Sequence, residues 1–135
     1  MAKTTAMVLG WIFLVLGVLG FIPNPLVGEG ALFHTDALVN IVHLVLGVIL
    51  LWVVYKAVAK VGTVSWVLGV ILVILAVLGF VSDSGMVLGL LEVNGAHNWL
   101  HLVLGLLLVW AGLSARKAAP APMGGQTGGP MGGQM

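Results

Sequence analysis

Charge is what this sequence has least of. Five lysines and arginines and four acidic residues make up 7% of its 135 positions, whereas soluble domains carry roughly 25%. So few charges cannot cover a water-facing surface, which excludes a soluble globular domain. Cysteine is absent altogether, excluding a disulfide framework, a thiolate metal centre and a thiol nucleophile. No basic run interleaved with aromatics points to nucleic acid. No phosphate loop or nucleophile–base pair is present, so an enzyme is the weaker expectation. What remains is a chain that is 61% hydrophobic with a mean hydropathy of +1.21. Lipid is its solvent.

Four apolar stretches, at about 5–22, 37–55, 63–81 and 96–113, each approach the ~20 residues that cross a ~30 Å hydrocarbon core. They are continuous and lack the alternation of strands. Backbone groups in lipid must be satisfied within the segment, so each stretch is expected to be a helix.

A five-residue phrase, His43 to Gly47, returns letter for letter as His101 to Gly105. Each copy has an asparagine three residues ahead (Asn40, Asn98) and a tryptophan nine residues behind (Trp52, Trp110). Leu19-Gly20-Phe21 likewise returns as Leu78-Gly79-Phe80, so the first stretch reads as a permanent span and not a cleaved signal. The expected fold is all-α: a polytopic membrane four-helix bundle made of two tandem helix-pair repeats. Two spans per unit return the chain to its starting side, which relates the halves by a parallel pseudo-twofold along the membrane normal. This transmembrane domain occupies 1–117. A Gly/Pro/Met-rich segment, 118–135, reads as a disordered tail.

The few charges are sorted by sign. Lys3, Lys56, Lys60, Arg116 and Lys117 flank the termini and the middle turn, while Glu29, Asp36, Asp83 and Glu92 fall in the other two loops. The positive-inside rule then makes both termini cytoplasmic. Small residues at heptad spacing (Gly10 and Gly17; Gly62, Gly69 and Ala76) predict close, left-handed helix packing. A homo-oligomer through these glycine stripes is a further expectation.

The chemistry-bearing residues cluster at the outer ends of the second and fourth stretches. Asp36, Asn40, His43 and Gly47 follow one another at spacings of four, three and four, as do Asn94, Asn98, His101 and Gly105. Those spacings align one helix face. His97 adds an i, i+4 pair with His101. His34, Asp36, Glu92 and Asn94 form a candidate second shell around Asn40, His43, His97, Asn98 and His101. The leading reading is structural or small-ligand binding, with Asn and His hydrogen-bonding across the pseudo-twofold at ~0.6 kcal/mol each. The alternative is ligation in a redox or quinone-associated membrane protein. Haem b could use His43 and His101 as axial ligands, or a divalent metal could sit on His43, His97 and His101 with Glu92 in reach. A proton-linked or small-solute pathway is a third class, although the spans lack the central Pro/Gly break with buried charge of transporters.

Four phrases carry a family resemblance: Leu-Gly-Phe-Ile-Pro at 19–23, Asn-Ile-Val-His-Leu at 40–44, Leu-Gly-Leu-Leu-Glu-Val-Asn at 88–94 and His-Asn-Trp-Leu-His-Leu at 97–102. From about Met7 to Leu113 the chain resembles the small bacterial membrane proteins grouped as domain of unknown function 4383. The resemblance implies four spans, a His-Leu phrase in each half and residence in the bacterial inner (cytoplasmic) membrane. It implies no activity. It also implies that a histidine can precede the first asparagine; Val39 stands there in this chain, and only the second copy has one, His97.

Overall fold

The computed structural model describes residues 1–118. The tail expected over 118–135 therefore lies outside the described residues from 119 onward. Among the described residues there are four α-helices: α1 (Ala2–Leu19), α2 (Ala37–Lys56), α3 (Val61–Val81) and α4 (Gly95–Ala118). A 3-10 turn, Val58–Lys60, leads into α3. All four helices are long and apolar enough to cross a membrane, and the arrangement is an all-α four-helix bundle.

The helix ends depart from the apolar runs for identifiable reasons. α1 stops at Leu19, three residues short of the run. Asn24 pulls the chain out of the helix there: its Nδ2 donates to the carbonyls of Leu19 (2.8 Å) and Val27 (2.9 Å), and its Oδ1 accepts from the Leu26 and Val27 amides. The orphan carbonyl at a helix C-terminus is thereby satisfied. α4 continues past the apolar run to Ala118, because Ala115, Arg116 and Lys117 are good helix formers. The Arg116 guanidinium also lies 4.7 Å over the Trp66 ring, tying the end of α4 to the start of α3.

α1 packs antiparallel on α2, and α3 on α4, while α1·α4 and α2·α3 join the two pairs. The pairs close at equivalent glycines. A Cβ on Gly47 would lie 2.8 Å from the Gly10 carbonyl oxygen, and one on Gly105 would lie 2.9 Å from that of Gly69. Backbones this close give van der Waals contact that larger side chains prevent, the main source of helix association in lipid. The glycine stripes are thus filled from within the chain, Gly10, Gly17, Gly62 and Gly69 all being buried. Each stripe therefore lies against a helix of the same chain. Between the pairs lies a core of Phe13, Leu50, Val54, Leu72 and Leu108. Half-exposed apolar side chains such as Val15, Ile41, Val48, Ile74 and Leu106 face outward, as lipid-facing positions should.

Both loops at the end opposite the 57–60 turn fold back over the bundle. The first pairs two short strands, β1 (Val27–Gly28) and β2 (Phe33–His34), in parallel; the second pairs β3 (Met86–Val87) and β4 (Leu91–Glu92) antiparallel. A bridge between Thr35 and Val93 fastens one loop to the other, and Asn94 Nδ2 donates to the Leu32 carbonyl at 2.9 Å. The two loops make one cover.

Candidate functional site

Directly beneath that cover, α2 and α4 start with side-chain caps that set their rotation. Asp36 Oδ1 accepts from the Val39 amide at 2.7 Å, and Asn94 Oδ1 accepts from the His97 amide at 2.9 Å. Such N-caps satisfy one of the orphan donors of a first turn. Asp36 also reaches the other half, where its Oδ2 accepts from the Glu92 amide at 3.4 Å. One turn further in stand the asparagines, and one turn beyond them the histidines, about 10 Å inside the helix ends at ~1.5 Å per residue.

The asparagines do not bond across the bundle. Asn40 Nδ2 donates to the Gly20 carbonyl of α1's C-cap at 2.9 Å, so the tie runs inside its own helix pair. Asn98 lies in the equivalent place against Gly79; a Cβ on either glycine would collide with the neighbouring amide. The Leu-Gly-Phe phrase therefore repeats because each asparagine needs a glycine to lie against. This corrects the expected Asn–His bonds across the pseudo-twofold.

The histidines do meet across the bundle, and there are three of them. His43, His97 and His101 are all buried, with one ring nitrogen from each within 4.8 Å of the other two. His97 Nε2 lies 3.0 Å from His101 Nε2, and His43 Nε2 lies 3.4 Å from the same atom. The His43 and His97 rings stack, with centroids 5.1 Å apart and planes 14° from parallel. Phe13 of α1 closes one side, its ring centroid 5.7 Å from that of His43.

Donor bookkeeping shows what this cluster lacks. His97 Nδ1 sits 3.0 Å from the His34 carbonyl oxygen. A carbonyl only accepts, so a neutral His97 carries its proton on Nδ1 and turns a lone pair at Nε2 toward the other rings. The Nε2–H of His101 then donates to His97. His43 faces a nitrogen whose single proton is already committed. If the proton of His43 is on Nε2, two N–H groups confront each other; if it is on Nδ1, that buried donor has no partner. Three ring nitrogens converge with too few complementary partners, and an unsatisfied buried polar group costs about 1–3 kcal/mol.

A metal ion could be held where the three ring nitrogens converge. Nitrogens bound at ~2.0–2.1 Å to one tetrahedral ion lie about 3.3 Å apart, and the two short separations here are 3.0 and 3.4 Å. The His97 Nδ1–H···O=C bond is the outer support that metal-bound imidazoles ordinarily have. Haem fits badly. The Nε2 atoms of His43 and His101 touch each other, and their rings meet edge to face at 80°. A porphyrin has to pass between its two axial imidazoles, and this buried contact leaves no slot for one.

Around the cluster, His34 holds the cover in place. Its Nδ1 accepts from the Gly30 amide at 3.0 Å, and its Nε2 lies 3.3 Å from Glu92 Oε1. Glu92 therefore pairs with His34 in the cover and is not part of the triad, contrary to its expected place within reach of a metal. Thr35 is a residue that sequence reasoning missed. It is 1% exposed, its hydroxyl has no partner, and nothing in its local sequence distinguishes it from a loop threonine. A cleft of about 290 Å³ opens between the cover and the ends of α1 and α2, lined by Asn40 but by none of the three clustered histidines. A larger one, of about 630 Å³, lies at the opposite end among Lys3, Gly62, Ser114 and Arg116, away from the histidines.

Residues 3–114 match the family described as Domain of unknown function (DUF4383). No curated protein matches the chain, and no solved structure does.

Proposed function

Because this chain belongs to the DUF4383 family, whose description carries no activity, we propose its function from the site alone: it is a multi-pass membrane protein that holds a transition-metal ion. The ligands are His43, His97 and His101, and an all-imidazole donor set suits zinc or copper. The observation that carries this reading is the convergence of three buried ring nitrogens within 4.8 Å, with His97 Nε2 left as a lone pair by the bond of its Nδ1 to the His34 carbonyl. The i, i+4 spacing of His97 and His101 supplies two ligands from one helix face, as in helical zinc sites, and α2 supplies the third. Three protein ligands leave a fourth position open, the pattern of a site that exchanges or activates what it binds.

The membrane is the bacterial cytoplasmic membrane, with both termini and the 57–60 turn on the cytoplasmic side. The support is that all five lysines and arginines lie at the termini end and all four acids at the loop end. The site then lies near the outer face.

The test is a titration of the detergent-solubilised full chain with Zn²⁺ and with Cu⁺, followed by elemental analysis after desalting. About one ion per chain is expected. His43→Ala, His97→Ala and His101→Ala should each weaken binding by at least ~100-fold, the upper end of what losing even an outer-shell partner costs. A second reading, a purely structural clamp, is favoured by the direct His43–His101 contact that joins the two helix pairs. Wild-type protein that retains no metal, and whose melting temperature falls in the same variants, would select the clamp.

A further inference from the structure

We propose that the cleft at the loop end is the port through which the ion reaches the triad, and that it selects a hydrated divalent cation from the outer side. This rests on the metal-binding reading of the triad and adds to it the route and the class of ion.

The cleft is lined by Glu29, Asp36 and Glu92, three of the chain's four acidic residues, with His34, Thr35 and Asn40 among the remaining walls. No lysine or arginine lines it. An acidic concavity beside low-dielectric walls concentrates cations and speeds their capture.

Acidity alone would mark only a solvated rim. The floor adds something else. Asn40 is 2% exposed and Thr35 is 1% exposed, and the Asn40 Oδ1 and Thr35 Oγ1 atoms have no hydrogen-bond partner. Asn40 has no freedom to turn its oxygen elsewhere, because its Nδ2 is committed to the Gly20 carbonyl. Buried acceptors left open are rare and mark the place of a water or an ion. Both residues line the acidic cleft, and Asn40 stands one helical turn before His43 on α2. Asn98 Oδ1 and Ser65 Oγ are also without partners but lie outside the cleft. Thr35 Oγ1 is therefore the open acceptor with no counterpart in the other half.

The donors therefore change type along the route. Carboxylates come first, then an amide and a hydroxyl oxygen, and then imidazole nitrogens. A dication loses its hydration reluctantly, and such a series exchanges waters for oxygens before the nitrogens take over. Oxygen donors suit hydrated dications and are poor ligands for soft Cu⁺. The geometry thus points to Zn²⁺ or another borderline dication as the ion captured.

The experiment uses Co²⁺ as an optical stand-in for Zn²⁺, with the full chain in detergent. Equilibrium titration comes first, then stopped-flow measurement of the visible band of four-coordinate cobalt. Wild type should bind about one ion, with an association rate that falls as ionic strength rises. Glu29→Gln/Glu92→Gln should bind the same number of ions about 10-fold or more slowly, the lower bound for electrostatic steering. Thr35→Val, which keeps the shape and the backbone bridge, should also slow association. Unchanged rates in both variants, with no salt dependence in wild type, would overturn the port while leaving the triad as the ion's site. Wild type that takes up no ion in the titration would overturn the triad reading, and the port with it.

Discussion

At the scale of single residues, Asn40 and Asn98 show how a readable pattern can carry an unreadable role. The duplicated Asn-x-x-His was plain in the sequence, and it did mark the polar centre. The partner of each asparagine was not visible there, because Gly20 reaches Asn40 only once Asn24 has ended α1 at Leu19. Replacing Asn40 by leucine removes the bond to Gly20 and forces a branched side chain against that glycine. A loss of about 0.6–1.7 kcal/mol is expected from the hydrogen bond alone, read as a lower melting temperature in detergent. An unchanged melting temperature would mean that the Asn40–Gly20 bond contributes nothing to helix pairing. His97 was legible as a neighbour of His101 but looked offset from the common face. Side chains as long as histidine close that offset, and the ring of His97 ends stacked on His43.

Among the helices, the decisive feature is how closely the two members of each pair approach. A Cβ on Gly69 would lie 2.7 Å from the Gly105 carbonyl oxygen and 2.6 Å from the Val109 amide nitrogen. These are backbone atoms that cannot step aside. Gly69→Val should therefore destabilise the bundle by about 1–3 kcal/mol, the usual cost of overpacking. Gly95 provides the contrast. It opens α4, and a Cβ there meets nothing within 4 Å, so Gly95→Ala should leave the melting temperature unchanged or raise it. The same measurement on the two variants separates glycines required by packing from those that are not. Heptad spacing revealed the stripe on α1 and α3. It could not reveal whether the stripe met a helix of the same chain or of another, since spacing describes one face and says nothing of what lies opposite.

Taken whole, the molecule was legible in its spans, while the pairing within its cover was not. Continuous apolar runs fix four helices because lipid permits few other structures. The outer loops follow no such rule: strands of two residues show no alternation, and the bridge from Thr35 to Val93 joins positions 58 apart in the chain. Orientation can be tested on the natural background, since the chain has no cysteine of its own. Ser84→Cys, in the outer loop, should react with a membrane-impermeant maleimide on intact spheroplasts. Ala59→Cys, in the middle turn, should react only after lysis. The opposite pattern would invert the protein in its membrane and move the acidic cleft to the cytoplasmic face.

One contact has an evolutionary corollary. The atom that orients the His97 imidazole belongs to the main chain at position 34, so any amino acid at that position can provide it. Homologues could lose the side-chain contacts of His34 to Gly30 and Glu92 and still aim the ring, whereas a single insertion or deletion between positions 28 and 36 would displace the carbonyl and leave the three clustered histidines in place. For the aim of that ring the length of this segment is what counts, while Thr35 and Asp36 carry constraints of identity of their own.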